Sequence, residues 1–86
     1  MYKILYVRSV EKEIKKLPTK IRISVIKKIQ SLQGTPQPTG SVKLRGTTNL
    51  YRIRHSDYRI IYSIESSELV ILVIKVAHRK DVYRDF

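Results

Sequence analysis

Apolar residues recur at helical spacing as far as Leu32 and at every second position from about Val42 onward, and this change of period limits the fold of the 86-residue chain more than any other feature. Val10, Ile14 and Leu17 line one face of a short helix. Ser9 reads as its N-cap, with Glu11 and Glu13 in the first turn, at the positive end of the helix dipole. Pro18 closes this helix and, with Thr19, opens a second, whose stripe is Ile21, Val25, Ile26, Ile29 and Leu32 and which ends at Gly34. Ahead of both, residues 2–8 alternate as a strand, with Tyr2, Ile4 and Tyr6 facing one way. Residues 35–40 form a loop. Three strands follow, over residues 50–55, 58–65 and 69–76, joined by two-residue turns at Ser56-Asp57 and Ser66-Ser67 into an antiparallel meander. The order is β-α-α-β-β-β. It predicts one α+β domain spanning residues 1–86, in which a helical hairpin packs on a small, mainly antiparallel sheet and buries both helix stripes.

The turn at Ser56-Asp57 sets the pairing. His55 falls opposite Tyr58, Arg54 opposite Arg59, Ile53 opposite Ile60 and Arg52 opposite Ile61, and paired residues share a face. One face then carries Tyr51, Ile53, Ile60, Tyr62 and Ile64, joined from the last strand by Leu69, Ile71 and Val73, and suits burial under the helices. The other carries Arg52, Arg54 and Arg59. Like charges directly opposed across a strand pair destabilise it by roughly 0.2 to 1 kcal/mol, so folding does not ask for this arrangement. A solvated basic face is one reading and an anion site is the other.

The charge distribution bears on that choice. Lys and Arg number 18 against 7 Asp and Glu, a formal net charge of +11, which points to a polyanion: RNA, DNA, an acidic protein segment or an anionic membrane surface. Seven of the ten lysines precede residue 40, whereas six of the eight arginines follow it. Lysine solvates surfaces, while the guanidinium fork suits bidentate binding of phosphate or carboxylate. With a turn at Ser66-Ser67, Tyr58 pairs with Lys75, and the chain leaving the last strand brings His78, Arg79 and Tyr83 toward Arg54 and Arg59. Arg, His and Tyr gathered at one sheet end suit a phosphodiester.

Other classes are excluded by composition. The sequence has no cysteine, which removes disulfides, zinc knuckles and thiol catalysis, and two histidines without a carboxylate cluster do not make a metal site. At 42% hydrophobic residues the chain is not a disordered basic tail, and a domain of this length buries roughly 60 to 65% of its unfolded surface. The longest apolar run, residues 69–74, is far short of a membrane span, and Met1-Tyr2-Lys3-Ile4 lacks the apolar stretch of a signal peptide, so a cytoplasmic protein is expected. Tyr2, Tyr6, Tyr51 and Tyr62 read as core or core rim, His55 as structural or surface, and Lys15, Lys16, Lys27 and Lys28 as a solvated helix face.

Four segments in order and spacing, Lys43-Leu44-Arg45-Gly46, Tyr51-Arg52-Ile53-Arg54, Asp57-Tyr58-Arg59-Ile60-Ile61-Tyr62 and His78-Arg79-Lys80-Asp81-Val82-Tyr83-Arg84, resemble the RelE branch of the RelE/ParE toxin superfamily of type II toxin-antitoxin pairs. The resemblance covers most of the chain. It implies a RelE-like fold and a ribosome-dependent endoribonuclease that cuts mRNA in the decoding site without metal or cofactor, the RNA 2′-hydroxyl attacking the adjacent phosphate. It also implies a cognate antitoxin, the ribosome and mRNA as partners, and no membrane. By position, Arg59 and Arg79 match the phosphate-stabilising arginines of the family and Tyr83 its C-terminal active-site tyrosine. Arg52 and Arg54 match two basic positions where ribosome-dependent members often carry lysine, one of them a candidate general base. A guanidinium, with a pKa above about 12, is a poor base, which leaves Tyr83 or His78 to move the proton, or a weakened activity. RNA contacts are expected to extend to Lys43, Arg45, Lys80 and Arg84. Two alternatives stand beside the nuclease: a ParE-like inhibitor of DNA gyrase that cuts nothing, and a catalytically decayed toxin acting as a binding partner. The arginine face also holds Leu50, Ile61, Val70, Leu72, Ile74 and Val76, and an apolar, acidic antitoxin segment is expected to cover part of it.

Overall fold

The computed structural model describes residues 1–83 of the 86. Its elements are β1 (Lys3–Tyr6), α1 (Arg8–Lys15), α2 (Thr19–Gln30) with a single 3-10 turn at Ser31–Gln33, β2 (Val42–Lys43), β3 (Leu50–His55), β4 (Tyr58–Glu65) and β5 (Val70–His78). The sheet order is β1-β5-β4-β3-β2, with β1 parallel to β5 and the other pairs antiparallel. The helical hairpin carries the chain from β1 at one edge of the sheet to β2 at the other, so that β5 can close the sheet against β1.

Alternation decides which face the helices cover. Ile53, Ile60, Tyr62, Ile64, Ile71 and Val73 project from one side and meet Val10, Ile14, Val25, Ile29 and Leu32 in a single core, with Ile4 and Tyr6 of β1 packed at its margin. The β3–β4 register is the expected one, from His55 opposite Tyr58 to Arg52 opposite Ile61. Ser56 supplies the positive φ, 54°, that a two-residue hairpin turn needs at its first position to match the strand twist.

Four expectations are corrected. Ser9 does not cap α1. The β1 ladder runs on to Val7, whose N–H donates to the Val73 carbonyl at 3.1 Å, so the helix starts directly off the sheet with extended Val7 at its N-cap and no side-chain cap. A further strand, β2, pairs Val42 with Arg52 and Lys43 with Tyr51. The connection from β4 to β5 takes four residues, 66–69, because Glu65 pairs with Val70. Leu69 therefore leaves the predicted core, stands 51% exposed and adopts a φ of 56°.

The fourth concerns β5. Tyr62 pairs with Val73 but Ile61 pairs with Lys75, a bulge that leaves Ile74 unpaired and, added to the two extra residues of the connection, brings Tyr58 opposite His78 rather than Lys75. A one-residue insertion reverses side-chain parity beyond it. Val76, expected on the arginine face, instead lies in the core opposite Ile60, 2% exposed. Lys75 in that place would have to bury its ammonium, a cost the bulge avoids.

The loop at 35–40 is pinned from below. Fully buried Tyr62 donates its hydroxyl to the Pro36 carbonyl at 2.6 Å and stacks on Tyr51, whose own hydroxyl accepts from Gln37 at 3.1 Å. Burial first, then neighbouring Tyr51, pushes the Tyr62 phenol up to about 12, against the opposing hydrogen bond of Ser41. Because the folded value exceeds the unfolded one, near 10, the stabilising contribution of Tyr62 is complete below about pH 10 and is lost as the pH rises through about 12. Denaturant midpoints measured from pH 8 to 12 should therefore fall more steeply for the wild type than for Tyr62→Phe, which at pH 8 should be about 1 kcal/mol less stable.

Candidate RNA-cleaving site

β3 and β4 hold the arginines. Arg54 and Arg59 are directly paired and Arg52 lies one pair further along the same face, so three guanidinium groups share the side of the sheet away from the helices. Arg59 folds toward the hairpin turn, its Nη1 donating to the carbonyls of Ser56 at 3.1 Å and Tyr58 at 3.0 Å. Desolvation lowers its pKa first, and Arg54, Arg52 and Arg79 lower it further, with Asp57 opposing them. It stays protonated at neutral pH. That crowding concentrates positive field at one spot, opposed among the described residues by Asp57.

β5 and the segment after it complete the site. The Arg79 N–H donates to the Asp57 carbonyl at 2.7 Å, extending the sheet by one bond, and its Nε lies 3.9 Å from the Asp57 carboxylate. The chain then turns sharply, with the N–H groups of Asp81 and Val82 both donating to the His78 carbonyl, at 2.8 and 3.0 Å. It crosses β4 on the arginine side and brings the Tyr83 hydroxyl to 3.5 Å from Arg52 Nη1, the long limit of a hydrogen bond. Val82 and Ile61 are buried to within 1% yet belong to no part of the helix-side core, so this tail covers the central apolar residue of the arginine face. Arg45, Leu44, Thr47 and Leu50 join Tyr83 around an open groove of about 420 Å³ beside the arginines.

Not every predicted residue arrives. His78 pairs with Tyr58 and alternates onto the helix-bearing face, where its ring meets Tyr58 edge-on at 5.6 Å and its Nδ1 accepts the Lys80 N–H at 3.2 Å. It is separated from the arginines by the sheet itself, a consequence of the bulge. Lys43 is exposed but pairs with Tyr51, away from Arg52. Lys80 is exposed in the tail, and Arg84 lies outside the described residues. His55 bonds Ser24 Oγ at 2.8 Å under the helices, as a structural residue does. In the sequence Asp57 is only a turn residue, yet in the structure it contacts Arg79 twice; no pattern in the sequence distinguishes it from any other turn aspartate. Among the described residues no cluster of His, Cys, Asp and Glu could hold a metal ion, and no helix is long and apolar enough to cross a membrane.

Comparison with known proteins finds relatives of the chain. Residues 4–83 match the family of ParE toxins of type II toxin-antitoxin systems. The mRNA interferase toxin RelE of Escherichia coli is 33% identical over 78 residues, covering 86% of this chain and 81% of that protein. Toxin RelE3 of Methanocaldococcus jannaschii is 33% identical over 92 residues, 98% of each. Among solved structures, the archaeal RelE-RelB complex from Pyrococcus horikoshii superposes with a TM-score of 0.81 at 31% identity, over 91% of this chain and 94% of that one.

Proposed function

Because the chain belongs to the ParE toxin family of type II toxin-antitoxin systems, in its RelE branch, we propose that it cuts mRNA on the ribosome, with cationic side chains stabilising the charge on the scissile phosphate. The observation that carries this reading is the placement of Arg52, Arg54 and Arg59 on one face of β3 and β4 with Arg79 held beside them at Asp57, near enough that Arg52, Arg54 and Arg79 each lower the pKa of Arg59. Two of these arginines stand directly opposite each other, an arrangement that folding does not ask for. In the reaction the 2′-oxygen attacks phosphorus, the bond to the 5′-oxygen breaks, and the products are a 2′,3′-cyclic phosphate and a 5′-hydroxyl. One group must take the 2′-proton and one must supply the 5′-proton. Arg59 and Arg79 stabilise the phosphorane, and Arg52 and Arg54 neutralise the flanking backbone.

Tyr83 supplies the proton to the departing 5′-oxygen, while the 2′-proton passes to water and the tyrosinate is reprotonated from solvent. Tyr83 is the side chain touching the cluster that carries a proton without a fixed positive charge, and at 49% exposure it is open to substrate. Asp57, held by Arg79, orients that arginine. A lysine in place of Arg54 would lose its proton far more readily among neighbouring cations. Arg54→Lys is accordingly expected to raise the cutting rate roughly tenfold, measured by single-turnover cleavage on programmed ribosomes; an unchanged rate means that the guanidinium is not limiting.

The remaining apolar strip fits an antitoxin. Leu5, 41% exposed, stands beside Leu72 on the uncovered face, where Val70 pairs with Lys3. An apolar segment with acidic residues would cover the strip and neutralise the arginines together. Primer extension on cellular mRNA after induction tests the main proposal. Cuts within translated messages, ending in a cyclic phosphate, support it; intact messages accompanied by DNA damage overturn it in favour of gyrase inhibition.

A further inference from the structure

Glu13 belongs to α1, on the side of the sheet opposite the arginines, yet it reaches the edge of β5 where that strand loses a neighbour. β1 contacts β5 only from Val70 to Val73, and the ladder closes with the Val7 N–H on the Val73 carbonyl. Just beyond lies the bulge at Ile74. The next outward-facing donor, the Val76 N–H, is taken by Glu13 Oε1 at 3.0 Å, while Glu13 Oε2 stands 3.7 Å from Lys75 Nζ. One part-buried carboxylate therefore holds both residues that follow the bulge.

The register shows what depends on it. Continued past Tyr62 and Val73 without a bulge, the pairing would set Lys75 opposite Ile60, Val76 opposite Arg59 and His78 opposite Asp57. Parity would then reverse from Lys75 onward: the lysine would enter the core, His78 would join the arginine face, and Arg79 would leave it. In the observed register Ala77 pairs with Arg59 and the next residue on that side is Arg79, bonded to Asp57 at 2.7 Å.

We propose that Glu13 is a positioning residue for the site: by binding the Val76 N–H and Lys75 it fixes the β5 bulge in the register that delivers Arg79, rather than His78, to Arg59. As far as it concerns catalysis, this rests on the nuclease reading above. Glu13 touches no arginine of the face and acts through the strand alone. An exposed helix carboxylate that merely solvates α1 would leave β5 unaffected when replaced.

The test reads the strand and the reaction separately. Amide hydrogen exchange by NMR in Glu13→Ala should show protection at Val76 and Arg79 falling roughly tenfold or more, with Leu72, upstream of the bulge, unchanged. Cleavage of ribosome-bound mRNA should fall roughly ten- to a hundredfold in kcat with little change in KM, since a displaced arginine is a fault of orientation. Glu13→Gln keeps the acceptor for Val76 and should retain the protection and most of the activity. Should Glu13→Ala fail to fold, Glu13→Asp, one methylene shorter, should show partial loss at the same two amides. Wild-type protection at Arg79 in Glu13→Ala or Glu13→Asp overturns the proposal, as does a Glu13→Gln variant impaired as severely as Glu13→Ala. If the wild type cuts no RNA, the nuclease reading fails while the two amides still decide the role of Glu13.

Discussion

Replacing Arg59 by alanine is expected to lower mRNA cleavage by roughly 10²- to 10³-fold, the range observed when one preorganised donor to a developing oxyanion is removed. The same substitution should change stability by no more than about 1 kcal/mol, since the hydrogen bonds it loses to the Ser56 and Tyr58 carbonyls and the like-charge pair it relieves oppose each other. Arg59 stands directly across from Arg54, and relief of a like-charge pair on a strand surface is worth roughly 0.2 to 1 kcal/mol at most. Activity that falls while stability holds is the signature of a residue retained for chemistry. Arg59→Lys should recover part of the rate, since it restores the charge but not the two-pronged donor geometry. The measurement pairs single-turnover cleavage with a chemical denaturation curve. Full cutting by Arg59→Ala would place the reactive phosphate elsewhere, and a large loss of stability would make the arginine part of the scaffold.

The second large effect is on the fold. Ile60 is fully buried at the centre of β4, paired with Ile53 on one side and Val76 on the other, all three in the core. Truncation to alanine should cost about 2 to 5 kcal/mol, from lost transfer energy and the cavity left behind. For a chain of 86 residues total stability is roughly 4 to 13 kcal/mol. Ile60→Ala should therefore lower Tm by roughly 10 to 30 °C in a calorimetric scan. Leu69→Ala is the control. Hydrophobic pattern alone puts Leu69 in the same core, but it is exposed in the β4–β5 connection, and its truncation should stay within about 0.5 kcal/mol. Equal effects of the two substitutions would contradict the four-residue connection and the register that follows from it.

Much of this molecule is legible before any coordinates. The two helix stripes, both ends of β3 and β4, and the pairing of Arg54 with Arg59 all follow from local rules: helical spacing, alternation, and a two-residue turn that admits one register. The RelE resemblance rests on the same segments, and the match over residues 4–83 agrees with it. What escaped lies where local rules give no single answer. Ser66-Ser67 resembles a turn as much as Ser56-Asp57 does, yet the observed connection is twice as long. Glu13 reads as a favourable charge in the first turn of a helix, although its partners are 62 and 63 positions away. Tyr83 lies close to Arg52 only because the chain folds back after His78.

The sequence by itself determined the α+β architecture, the core of β3 and β4, and the presence of Arg52, Arg54 and Arg59 on one face, because each depends on periodicity and on one tight turn. Only the tertiary structure decided which residues of the last strand join them. An inserted residue at Ile74 reverses every side chain after it. Whether a strand bulges there depends on the end of β1, the demand of the core for Val76 over Lys75, and a carboxylate arriving from α1, none of which is a local property of β5.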